Sequence, residues 1–113
     1  MSYQRADHIN PESLVAEHIA FDPALKENEL FWKLVRQCAD TIACAQEAGR
    51  QLFFAYSHAF ADRGGDRVTL IIEGVPLVVV VSEADDGRFH VTRRGVVDDS
   101  IKTGADLLAH LKP

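Results

Sequence analysis

Five histidines and two cysteines are the residues of this chain best suited to proton transfer or metal binding. His8, His18, His58, His90 and His110 are scattered along the sequence. None lies in an HExxH run or at the spacing that sets two ligands on one helix face. Cys38 and Cys44 are six residues apart, outside any CxxC pattern. On one helix they would point about 120° apart and stand roughly 9 Å apart along the axis, so no disulfide joins them there. Free thiols fit a reducing compartment. No metal site and no cofactor are expected from this inventory.

His90 is the one histidine with a candidate partner. In the strand register argued below it faces Ser82, and a serine beside a histidine could act as nucleophile and base. No acid partner, oxyanion hole or strained turn marks such a site. A polar cross-strand pair bordering an interface is the simpler reading. Gly64-Gly65 and Gly74 match neither a P-loop nor a GxGxxG pattern and are expected in turns. Arg88, Arg93 and Arg94, with Arg63 and Arg67 nearby in sequence, could form a basic strip at a sheet edge that meets phosphate. Asp62, Asp66, Glu73, Glu83, Asp85 and Asp86 interleave with them. The formal charge of −5 also argues against nucleic acid as the main partner.

The elements that must position these groups centre on Arg67–Ser82, RVTLIIEGVPLVVVVS. Its β-branched residues suit a pleated surface. A break at Gly74-Val75-Pro76 predicts a hairpin with a two-residue loop, Gly74 taking positive φ. Strands over 67–73 and 76–83 then pair Ile72 with Leu77, Leu70 with Val79 and Val68 with Val81. Asp85-Asp86-Gly87 predicts a second turn and a third strand over 88–93, with Ser82 facing His90 and Val81 facing Val91. Phe89 and Val91 join the apolar side.

The reverse side of this meander carries Thr69, Ile71, Val78, Val80, Ser82, His90 and Thr92. A half-solvated antiparallel sheet would be polar there. Here Ile71, Val78 and Val80 make the centre apolar, and leaving such a patch wet invites association. A helix of the same chain, a second copy or a partner protein would cover it, the first being the commonest arrangement.

Helix signals flank the meander. Asn10-Pro11-Glu12 opens a helix over about 11–20, and Asp22-Pro23 opens a longer one over about 23–48, closed at Gly49. Phe31, Leu34, Val35, Cys38, Ile42 and Ala45 share one face of it. Trp32, Ala39 and Ala43 form a narrower stripe that could seat a neighbour. Residues 51–62 fit helix or strand, and the alanine spacing favours helix. Residues 95–100 look like a polar loop. Thr103 with Asp106 predicts a cap and a closing helix over 103–111.

The 113 residues therefore predict a single α+β domain, 1–113. N-terminal helices should pack on a three-stranded antiparallel meander, with a short C-terminal helix. The expected core is Phe31, Leu34, Val35, Ile42, Leu70, Ile72, Leu77, Val79, Val81, Phe89 and Leu108. Met1–Asn10 lacks the apolar core of a secretory signal, and no stretch is long enough to span a bilayer, so the cytoplasm is the expected location.

The absence of a chemical motif, set beside the apolar reverse face, favours a small non-enzymatic binding protein of regulatory, inhibitory or immunity type. Ile71, Val78, Val80, His90 and Trp32 would form the interface with a protein partner or a second copy, as a homodimer. The alternatives are a small-ligand or catalytic domain with a pocket between sheet and helices, using His90, Ser82 or Tyr56, and a nucleic-acid accessory protein using Arg88, Arg93 and Arg94.

Overall fold

The computed structural model describes residues 10–58 and 65–111. His8, Arg63, Gly64 and the end of the 51–62 segment lie outside the described residues. Within them the architecture is α+β. The helices are α1 (Pro11–Leu14), α2 (Ala16–Phe21), α3 (Glu29–Gln37), α4 (Ala39–Glu47) and α5 (Gly104–Ala109). The strands are β1 (Leu52–Ser57), β2 (Arg67–Ile72), β3 (Val78–Ser82), β4 (Phe89–Arg93) and β5 (Val96–Val97). They form one antiparallel sheet in the order β1-β2-β3-β4-β5. Two strands thus extend the expected meander, one at each edge.

The cap signals behave as their chemistry requires. Asn10 Oδ1 accepts from Glu12 N–H, and Thr103 with Asp106 forms a complete capping box. The long helix expected over 23–48 is divided. Asp22 caps only a 3₁₀ turn, Pro23–Glu27, and Asn28 restarts the chain as the cap of α3, its Oδ1 accepting from Phe31 N–H at 3.1 Å. A kink at Cys38 (φ −115°, ψ 20°) then separates α3 from α4. The Gln37 side chain reaches into the ladder at this point, its Nε2 donating to Lys33 O at 2.9 Å, and such an insertion bends a helix. The helix expected over 11–20 has a similar break at fully buried Val15.

The described part of the 51–62 segment is corrected from helix to strand over Leu52–Ser57. Leu52, Phe54 and Tyr56 alternate with Phe53, Ala55 and Ser57, and β1 pairs with β2 from Leu52↔Ile72 to Ser57↔Arg67. Long-range pairing with a β-branched neighbour overrides the local helix preference of three alanines.

The central register is as expected, with Val68↔Val81 and Leu70↔Val79. The turn differs. Val75 N–H donates to Ile72 O, which places Gly74 third in a tight turn rather than first in a two-residue loop, and its φ is +77°. The β3–β4 register is displaced by two residues: Val79 faces Val91 and Val80 faces His90. A 3₁₀ turn over Glu83–Asp85, followed by left-handed Asp86 and Gly87, consumes the extra chain. A displacement by an even number leaves every side chain on its expected face. The loop expected over 95–100 instead begins with a hairpin. Arg94 (φ 54°) and Gly95 (φ 81°) make a two-residue turn, and Arg93 pairs with Val96.

Among the described residues the helix–sheet packing is on one side. Phe31, Leu34, Val35 and Ile42 meet Val68, Leu70, Val79, Val81 and Val91 in the core. At the C-terminal helix Leu107 is buried where Leu108 was expected, and Phe89 is only partly buried. Gly104 lets α5 approach α3 closely, since a Cβ there would sit 2.9 Å from Gln37 O.

Candidate functional site: the outer sheet face and an acidic cleft

Strand alternation and register together build the outer face. Phe53 faces Ile71, Ile71 faces Val78, Val78 faces Thr92, and Thr92 faces Val97. One row thus crosses all five strands with four apolar residues in it. Phe53, Ile71 and Val97 are 53%, 42% and 50% exposed. A second row runs Ala55, Thr69, Val80 and His90. Val80 is buried in it, at 8% exposure. No helix among the described residues lies over this face, so the intramolecular helical cover expected from sequence is not found there.

His90 borders the apolar row in a polar group of its own. Its Nδ1 lies 2.6 Å from Asp85 Oδ2, and Ser82 Oγ donates to the same carboxylate oxygen at 3.2 Å. Asp85 stands between the other two. A serine nucleophile needs its hydroxyl on the imidazole, with the acid beyond it. Here the hydroxyl is bonded to the acid, which is the arrangement of a loop clasp. It ties the β3–β4 turn to the start of β4.

Trp32 does not join this surface. It belongs to α3, in the helical layer on the opposite side of the sheet. Its indole N–H donates to Lys26 O at 2.8 Å, and its ring meets Phe31 edge-on. The three arginines are not brought together either. Arg88 immediately precedes β4, whereas Arg93 ends it and Arg94 sits in the next turn. That separation is about 16 Å along a strand. Arg93 Nε lies 3.7 Å from Asp98 Oδ2.

A second feature involves Tyr56, named from sequence for an alternative pocket between sheet and helices. Its companions here are His58 and Asp66 rather than Ser82 and His90, a meeting that depends on β1 being a strand. Between the Pro23–Glu27 turn, the start of α3 and the end of the sheet lies a cleft of about 660 Å³. Tyr56, His58 and Asp66 line one wall, with Glu27, Glu83 and Lys33 among the charged residues around it. Tyr56 O–H donates to Asp66 Oδ2 at 2.9 Å, and His58 Nδ1 lies 3.1 Å from Asp66 Oδ1. The hydrogen bond to Asp66 is the main cause of a raised Tyr56 pKa, aided by partial desolvation and by the negative charges of Asp66 and Glu83. The surplus of carboxylates repels anions and suits a positive group. Among the described residues no cluster of His, Cys, Asp and Glu could hold a metal ion. Burial pushes the Cys38 thiol up to about 12, which keeps it protonated and unreactive. No helix among the described residues is long and apolar enough to cross a membrane.

No family model matches the chain, and no curated protein or solved structure is significantly similar to it.

Proposed function

We propose that this chain is a non-enzymatic protein-binding module, regulatory or inhibitory in kind, that docks a partner protein on the outer face of its sheet. One observation carries the reading. The row Phe53–Ile71–Val78–Thr92–Val97 crosses five strands and presents four apolar side chains, on the side away from every described helix. Burying large apolar side chains stabilises an interface by roughly 1.5–3 kcal/mol each. The polar margin of Ser57, Thr69 and His90 supplies the rim that such interfaces carry. The Ser82–Asp85–His90 clasp supports the non-enzymatic part, because its hydroxyl is engaged by the carboxylate rather than by the imidazole.

The test is capture from native host extract with the parent chain and with Ile71→Asp as parallel baits. Ile71 is exposed, so the variant keeps the fold while placing a charge at the centre of the row. A partner retained by the parent and lost by the variant supports the reading. Equal retention by both overturns it.

The cleft supports a second reading, binding of a small cationic ligand, on the ground that Tyr56, His58 and Asp66 converge in a concavity of ligand size. An amine series that raises the melting temperature of the parent but not of Asp66→Asn would support it. No shift with any amine would remove it.

A further inference from the structure

We propose that β1 is a self-pairing edge, through which two copies of this chain join antiparallel into one continuous sheet of twice the five strands. The argument starts from backbone alternation. Glu73 N–H donates to Gln51 O at 2.9 Å, so these two form a hydrogen-bonded pair, and bonded pairs recur at every second residue of an antiparallel ladder. Phe53, Ala55 and Ser57 therefore direct their backbone groups to β2. Leu52, Phe54 and Tyr56 direct theirs to the open side. Among the described residues no backbone hydrogen bond reaches these three from outside the sheet.

The strand carries none of the sequence devices that blunt such an edge. Leu-Phe-Phe-Ala-Tyr-Ser contains no charge and no proline, and its ladder with β2 runs one-to-one with no bulge. At its far end Ala55, Tyr56 and Ser57 are exposed, so both faces of the strand are open there. The other edge of the sheet is the two-residue β5, which offers far less to pair with.

A second copy fits this edge because the strand complements itself about a two-fold axis. The register that joins the outward backbone groups sets Phe54 against the partner's Phe54 and Leu52 against the partner's Tyr56. On the outer face it sets Phe53 against the partner's Ala55. Three facing pairs that each exchange two bonds give about six new hydrogen bonds. Every facing pair is uncharged. A chain of net charge −5 thus meets its copy along a segment that carries none of that charge. The pairing uses the edge rather than the face, and it stands independently of the docking role proposed above.

Size-exclusion chromatography with light scattering, at about 100 µM protein, reads the assembly directly. The parent is expected at twice the monomer mass. Ala55→Lys, an exposed substitution beside the two-fold axis, is expected at the monomer mass with an unchanged circular dichroism spectrum. Ile71→Lys is expected to remain double. Amide exchange on the unmutated chain needs no variant: the Phe54 and Tyr56 amides should be protected at high protein concentration and exchange faster on dilution. A parent of monomer mass overturns the proposal, as does a dimer broken by Ile71→Lys but not by Ala55→Lys, which would be assembled through the face. Exchange at Phe54 and Tyr56 that is independent of concentration overturns it as well.

Discussion

Gln37 shows how one side chain can set a local arrangement. Its Nε2 donates to Lys33 O and to Gly87 O, and its Oε1 accepts from Phe89 N–H. The amide therefore bonds the start of β4 much as a neighbouring strand would, and it holds the kink between α3 and α4. Replacing it with alanine leaves a part-buried carbonyl and N–H without their partner. Each lost bond of this kind costs about 1 kcal/mol. Gln37→Ala should lower stability by about 2 kcal/mol in a urea titration, and an unchanged midpoint would contradict this role. Tyr56 gives a second test at this scale. Its raised pKa means the protonated phenol is favoured in the folded chain. Its contribution to stability is complete below the ordinary tyrosine value of about 10 and is lost as pH rises through the folded value. In Tyr3→Phe the only other tyrosine is removed, and absorbance titration should place the remaining phenol above the ordinary value. Asp66→Asn should return it toward that value. Neither role was legible in the sequence, because Gln37 acts on residues fifty positions away and Asp66 meets Tyr56 only across a strand pair. Ser82 and His90 were singled out from sequence, but the Asp85 carboxylate that joins them was not.

Elements were legible where local chemistry alone decides them. The Asn10 and Thr103 caps, the β2–β3 register and the apolar face of α3 all follow from nearest-neighbour rules. The failures share a cause. Ala55, Ala59 and Ala61 favour helix locally for the β1 segment and mask an alternation that only pairing with β2 makes favourable. The β5 hairpin looks like loop in sequence because an arginine occupies a position where asparagine or glycine is the usual signal. That last point is testable. Arg94 holds φ 54°, a conformation unfavourable to most side chains, and it is exposed. Arg94→Asn should stabilise the chain by about 0.5–1 kcal/mol, the usual scale of relieving such a position. A melting temperature at or below that of the parent would show that the arginine side chain compensates for its backbone.

The whole molecule is a one-sided construction. Helices bury the inner face of the sheet, and the described residues leave the outer face with a row that is apolar on every strand but β4, where Thr92 stands. The sequence already implied this for Ile71 and Val78. It could not extend the row to Phe53 and Val97, because both stand on strands that were not foreseen. It placed Val80 in the open patch, whereas its side chain is buried on that face. Trp32 belonged to the opposite layer all along, since the face of a helix that packs on a sheet cannot be fixed until the sheet's two sides are known. The central claim, that this outer row is the docking surface, is tested most directly by methyl and aromatic NMR of the labelled chain on addition of the captured partner. The account predicts shifts or broadening at Phe53, Ile71, Val78 and Val97, with Val68 and Leu70 unmoved. Shifts centred on Tyr56 and His58, with those four resonances unchanged, would contradict it.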